Sequence, residues 1–181
     1  MFTDPHLSPR AANFRPLTPL DLLSHALEVH GQRPGVAWRE HVLSYAEFGD
    51  LVARMAGFLR GQGVGQGDVV SAMLTNRPEM IALHFAVPAV GAVLNTINIR
   101  LDAGTVDYIL DHAGSRLLIS ETDILPAGAG GAVPVQMLCS APGAGDGLDL
   151  FTGPVPTHDV DAGVADELAP IALNYTSGTT G

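Results

Sequence analysis

Residues 68–97 read DVVSAMLTNRPEMIALHFAVPAVGAVLNTI, and this stretch decides the fold. Asp68 to Leu74 is a short, mostly apolar run, the pattern of a strand covered on both faces. Asn76-Arg77-Pro78-Glu79 then reads as a helix start: Asn76 suits the cap, Pro78 the first turn and Glu79 the positive helix end. The apolar residues behind it predict a helix to about Gly91, and Ala92 to Ile97 predicts a second buried strand. Strand, helix and strand in this order make a βαβ unit, which implies a parallel sheet with helices packed on it.

The same alternation extends outward. Toward the N-terminus, Leu20, Leu23, Leu27 and Ala26 recur at helical spacing within Leu20 to His30, with Gly31 as a stop. Gly35 to Trp38 and Val42 to Ser44 read as two short strands joined by a polar turn at Arg39-Glu40-His41. Ser44-Tyr45-Ala46-Glu47 is a capping box, followed by Tyr45, Phe48, Val52, Met55 and Leu59 on one helical face. Toward the C-terminus, Asp102 caps a helix bearing Val106, Ile109 and Leu110 and closed by Gly114, and Arg116 to Ser120 is the next strand. From Glu121 to about Ala165 glycine, proline, alanine and aspartate dominate, so a surface loop is expected apart from a strand near Val133 to Cys139. Order returns at Pro170 to Tyr175, a short strand. Four prolines (Pro5, Pro9, Pro16 and Pro19) predict an extended arm over residues 1–16.

Composition excludes several function classes. Apolar residues make up 46% of the 181 residues and charged residues only 15%, a globular balance. The net charge is -10 and all nine basic residues are arginines, with no lysine in the chain. Without clustered cations the chain is unsuited to nucleic acid or to anionic membranes. The apolar stretch Met80 to Ile99 resembles a membrane span, but His84, Pro88, Asn95 and Asn98 interrupt it, and no transmembrane segment is expected. Cys139 is the only cysteine, so no internal disulfide or cysteine-based metal site forms. That and the absence of a secretory pattern at Met1 to Pro5 point to a reducing, cytoplasmic setting.

Few residues carry chemistry. Thr176-Ser177-Gly178-Thr179-Thr180-Gly181 offers four hydroxyls and two glycines after a strand, where ligands bind in open α/β sheets. Glycine lets backbone N–H groups approach a ligand, and the hydroxyls can donate to phosphate oxygens. On residue type alone, a polar loop without a ligand explains the run equally well. It is not a lysine-bearing P-loop, since the chain has no lysine. Ser177 lacks the glycine spacing of a hydrolase nucleophile. Gly61 to Gly67 follows a helix and precedes a strand, so it reads as a helix stop and not a dinucleotide fingerprint. The seven histidines are scattered without ligand spacing, and no metal site is expected. His84 reads as a packed core histidine, and Asp107 with Asp111 as a solvated helix face.

Asn174-Tyr175-Thr176-Ser177-Gly178-Thr179-Thr180-Gly181 closely resembles the phosphate-loop motif of the AMP-binding, acyl-adenylate-forming superfamily. Leu43 to Phe48 and Pro88 to Asn98 resemble that family's first and second core motifs, in the same order. The resemblance implies an α/β fold: a parallel, helix-covered sheet forming part of a large N-terminal domain that occupies residues 17–181 and continues beyond them. It implies a ligase that joins a small carboxylic acid to AMP from ATP and then to the thiol of coenzyme A, with Mg2+ as the metal. Thr176, Ser177, Gly178, Thr179, Thr180 and Gly181 would hold the β- and γ-phosphates. His84 to Pro88 with Leu94 to Leu101 is most similar to fatty-acyl and short-to-medium-chain acyl-CoA ligases. In the family the loop continues into Pro-Lys-Gly, and the adenine, ribose and magnesium segments and the catalytic lysine follow. No catalytic residue is therefore expected within this chain, its partner is the remainder of a parent ligase, and activity of these residues alone is not expected. A truncated or degenerate non-catalytic module of the same lineage is the alternative.

Overall fold

The computed structural model describes residue 6 and residues 17–156 and 166–176. The arm expected over 1–16 thus lies, His6 apart, outside the described residues. Helix α1 spans Pro19–His30, and the Asp21 carboxylate accepts a hydrogen bond from the Thr18 N–H at its start. Strands β1 (Pro34–Trp38) and β2 (His41–Ser44) form an antiparallel hairpin, with Arg39 in the left-handed region at φ 52° where the chain reverses. Helix α2 (Tyr45–Gly61) begins in the expected capping box: the Glu47 N–H donates to Ser44 Oγ at 3.2 Å and the Ser44 N–H donates to Glu47 Oε2 at 2.7 Å. Its buried stripe contains Phe48, Val52, Met55 and Leu59 as expected, widened by Leu51 and Ala56.

The βαβ core follows. Strand β3 is Val69–Met73, α3 is Pro78–Ala89, β4 is Val93–Thr96, α4 is Ala103–His112 and β5 is Ser115–Glu121. Strands β6 (Val135–Leu138) and β7 (Ala172–Asn174) complete a five-stranded sheet ordered β6-β5-β3-β4-β7, and every neighbouring pair is parallel. Because side chains alternate along a strand, each face gathers its own core. Val70, Ala72, Leu94, Leu117 and Ile119 pack with α2 and α3, whereas Met73 and Leu118 pack with Val106, Ile109 and Leu110 of α4. The chain steps from β3 to β4, then returns past β3 to β5. That reversal of direction creates a topological switch, and in such sheets ligands bind beyond the carboxyl ends of the strands.

Three expectations need correction. His84 is exposed, not packed in the core; its Nδ1 lies 2.8 Å from the Met80 carbonyl oxygen on the outer side of α3. The stretch after Glu121 holds more than the expected strand, which is present as β6: beyond it Leu150 is buried, and Leu148 bridges to Leu138. Asp107 is not simply solvated, because its carboxylate accepts from the Gly130 N–H at 2.7 Å and ties that glycine-rich stretch to α4. Among the described residues no helix is long and apolar enough to cross a membrane.

Candidate functional site

The carboxyl ends of the strands bring together Thr75, Asn98, Glu121, Cys139, Tyr175 and Thr176. At one end of this edge lies a buried charge cluster. Arg77 sits at the N-cap of α3, one residue later than the sequence suggested, and only 1% of it is exposed. Its guanidinium donates through Nε to Glu79 Oε2 at 2.8 Å, through Nη2 to the other Glu79 oxygen, and through Nη2 to the Cys139 carbonyl at 2.9 Å. Nη1 lies 3.4 Å from Glu121 Oε2, and the guanidinium carbon is 5.3 Å from the Trp38 ring centroid. Burial pulls the Arg77 pKa down, but the hydrogen bond and charge of Glu79, with Glu121 behind it, outweigh burial and leave it raised. Glu121 in turn accepts from the Thr75 N–H at 2.6 Å and from Thr75 Oγ1 at 2.9 Å. The cluster therefore ties together the ends of β3 and β5, the segment after β6, and the hairpin. Glu79 is thus a buried ion-pair partner as well as a first-turn carboxylate, a role that spacing along the chain does not reveal.

Cys139 beside this cluster is a poor nucleophile. Burial, with the nearby Asp149 charge, pushes its thiol pKa up and keeps it neutral.

The other end of the edge is where the hydroxyl-rich loop begins. Thr176 lies two residues past the end of β7 and is exposed, while Ser177, Gly178, Thr179, Thr180 and Gly181 lie outside the described residues. A recess of about 510 Å³ opens beside Thr176, lined by Asn98, Leu101, Tyr108, Ile109 and Tyr175. Tyr175 meets His112 at 2.6 Å, and burial, then the nearby Tyr108, raises its pKa. What Thr176 and the sequence after it offer is hydroxyls and backbone amides without a carboxylate, a donor set suited to phosphate oxygens. Among the described residues no group of three or more histidine, cysteine, aspartate or glutamate side chains is placed to hold a metal ion.

Comparison with known proteins gives the family. The family model for "AMP-binding enzyme" matches residues 23–181. The chain belongs to the AMP-binding enzyme family. It is 34% identical over 201 residues to probable acyl-activating enzyme 5, peroxisomal, of Arabidopsis thaliana, covering 96% of this chain and 35% of that one. It is also 34% identical over 193 residues to the 2-methylpropanoate–CoA ligase of Humulus lupulus, covering 96% and 35%. The O-succinylbenzoate coenzyme A synthetase of Bacillus subtilis, solved with AMP, superposes with a TM-score of 0.70 at 22% identity over 88% of this chain and 39% of that one. The chain thus spans about a third of the length of these relatives. The parallel sheet with flanking helices matches the N-terminal domain of adenylate-forming enzymes.

Proposed function

We propose that this chain is the phosphate-loop-bearing N-terminal part of an ATP-dependent carboxylate–CoA ligase. The observation that carries this reading is Thr176, two residues past the end of parallel strand β7 at the carboxyl edge of the sheet, where it opens the Thr176–Gly181 run in a chain of the AMP-binding enzyme family. In the proposed reaction a carboxylate oxygen of the acid attacks the α-phosphorus of ATP and pyrophosphate leaves. The coenzyme A thiol then attacks the acyl carbon and AMP leaves. Thr176, Ser177, Gly178, Thr179, Thr180 and Gly181 hold the β- and γ-phosphates through hydroxyl and amide donors, aligning the leaving pyrophosphate. Positioning and charge stabilisation of this kind contribute most to phosphate-centred substitutions. Mg2+ enters through the family likeness and would neutralise phosphate charge.

A short or medium-chain acid is the substrate class we favour, because the 2-methylpropanoate–CoA ligase is among the relatives. The free, buried Cys139 suits a reducing compartment, and we favour the cytoplasm, although the names of four relatives place them in the peroxisome. The test is acid-dependent ATP–pyrophosphate exchange by the protein in its full coding length against a panel of two- to eight-carbon acids. No exchange with any of them overturns the reading.

The absence of lysine favours a second statement about the chain by itself. Residues 1–181 contain neither of the lysines that the family uses, so we propose that they form no acyl-adenylate alone. Clear exchange activity from the purified 181-residue chain would refute this.

A further inference from the structure

We propose that His112 is a positioning residue for the phosphate loop, acting through Tyr175. The inference rests on the reading of Thr176–Gly181 given above.

Strand β7 delivers that loop, yet it is weakly held. It has three residues and pairs with β4 through Leu94↔Ala172, Asn95↔Leu173 and Thr96↔Asn174. Among the described residues nothing pairs with its other side. So short an edge strand fixes its own exit direction poorly. Two side-chain ties stand where the ladder stops. Thr96 Oγ1 donates to Asn174 Oδ1 at 2.9 Å. One residue later the Tyr175 hydroxyl shares a 2.6 Å hydrogen bond with His112 Nδ1.

The second tie reaches outside the sheet, to the last turn of α4. That helix is a firm anchor: Asp102 caps its start by accepting from the Thr105 N–H at 3.1 Å, and Val106, Ile109 and Leu110 are buried against the sheet. The His112 ring is held on both sides. Tyr108 stacks on it at 5.6 Å and 24°, and Tyr175 meets it edge-on at 5.8 Å and 79°. Tyr175 also packs on the apolar cluster between α4 and the sheet. Hydroxyl and ring of Tyr175 are both located by α4, so the backbone that leaves Tyr175 for Thr176 inherits its direction from that helix.

The test uses His112→Phe, which keeps a ring but loses the hydrogen bond, Tyr175→Phe, which loses it from the other side, and His112→Asn, whose amide can occupy the Nδ1 position. Hydrogen exchange on the full-length protein is the first readout. Amides of 172–176 exchange about tenfold faster in both Phe variants and recover in His112→Asn, while β3 amides are unchanged, as loss of one hydrogen bond predicts. Kinetics of the full-length protein are the second. The KM for ATP rises about tenfold in the Phe variants, kcat changes less than about twofold, and the KM for the acid stays put. Unchanged exchange at 172–176, or exchange rising equally in β3, overturns the inference whatever the kinetics show. An acid KM that rises as much as the ATP KM, or an ATP KM that does not move, overturns the role in phosphate binding. Absence of ATP–pyrophosphate exchange in the unmodified protein refutes the ligase reading instead, and the hydrogen-exchange arm still decides whether His112 holds the strand end.

Discussion

Replacing Arg77 by leucine should destabilise the chain far more than replacing Arg77 and Glu79 together. The Arg77 side chain is fully buried, and Glu79 is 1% exposed. Removing the guanidinium strands the Glu79 carboxylate without its two hydrogen bonds, leaves the Cys139 carbonyl without its donor, and strips Glu121 of a nearby cation. Breaking one side of a buried pair costs about 3–5 kcal/mol, whereas exchanging both partners for apolar residues is often close to neutral. With about 5–15 kcal/mol of total stability, the single variant loses a large share of it, and its melting temperature falls by about 10 °C. Urea unfolding followed by far-ultraviolet circular dichroism gives the stabilities of R77L, Glu79→Leu and the double variant, and a double-mutant cycle gives the coupling. A coupling below about 0.5 kcal/mol would refute the reasoning, because the two residues would then be acting independently. So would a double variant as unstable as the worse single one.

Other outcomes follow from the same structure. Ser44→Ala should cost about 1 kcal/mol by removing one half of the capping box at α2, measurable in the same unfolding assay. The backbone hydrogen bond from Ser44, and then its hydroxyl, hold the Glu47 pKa below the ordinary glutamate value. A depressed carboxylate stabilises the fold above its unfolded pKa and loses that contribution as pH falls through the folded one. Melting curves from pH 7 to 3 should therefore converge for wild type and Glu47→Gln at the acid end, and parallel curves would contradict this. Leu118→Ala, at the centre of β5 and 0% exposed, should lose about 2–5 kcal/mol. Gly91→Ala should lose about 1–2 kcal/mol, because φ is 76° there and the new methyl would press on the Gln66 side-chain amide; an unchanged melting temperature would speak against that backbone strain.

The elements from α1 to β5 were legible because each has a local cause. Ser44 and Asp102 mark helix starts, Gly91 and Gly114 stops, and the runs at Val69 and Val93 are short and apolar. The hydroxyl-rich run after Tyr175 was legible as a motif. What remained hidden depends on contacts between distant residues. The Arg77 cluster joins Glu121 and Cys139 to a helix start, and the bond between Arg77 and Cys139 spans 62 positions. No local pattern announces such a meeting. Helix α3 is apolar almost all round, so the sequence carries no mark of its outward face and places His84 inside. The glycine-rich stretch after Cys139 disguises Leu150, a single buried residue with no period around it. His112 and Tyr175 look unremarkable until α4 and β7 bring them together.

The position of β7 also has a consequence in time. The β3–β4 side-chain contact between Ser71 and Asn95 joins residues 24 apart, whereas Thr96 and Asn174 are 78 apart. Closing the longer loop costs more chain entropy, and three residues of ladder return little until β4 is already in place. Strand β7 should therefore be the last to join and the first to leave. The strand end that presents Thr176 then takes shape only once the rest of the sheet has assembled, so under the proposed function a half-folded chain would not hold nucleotide there.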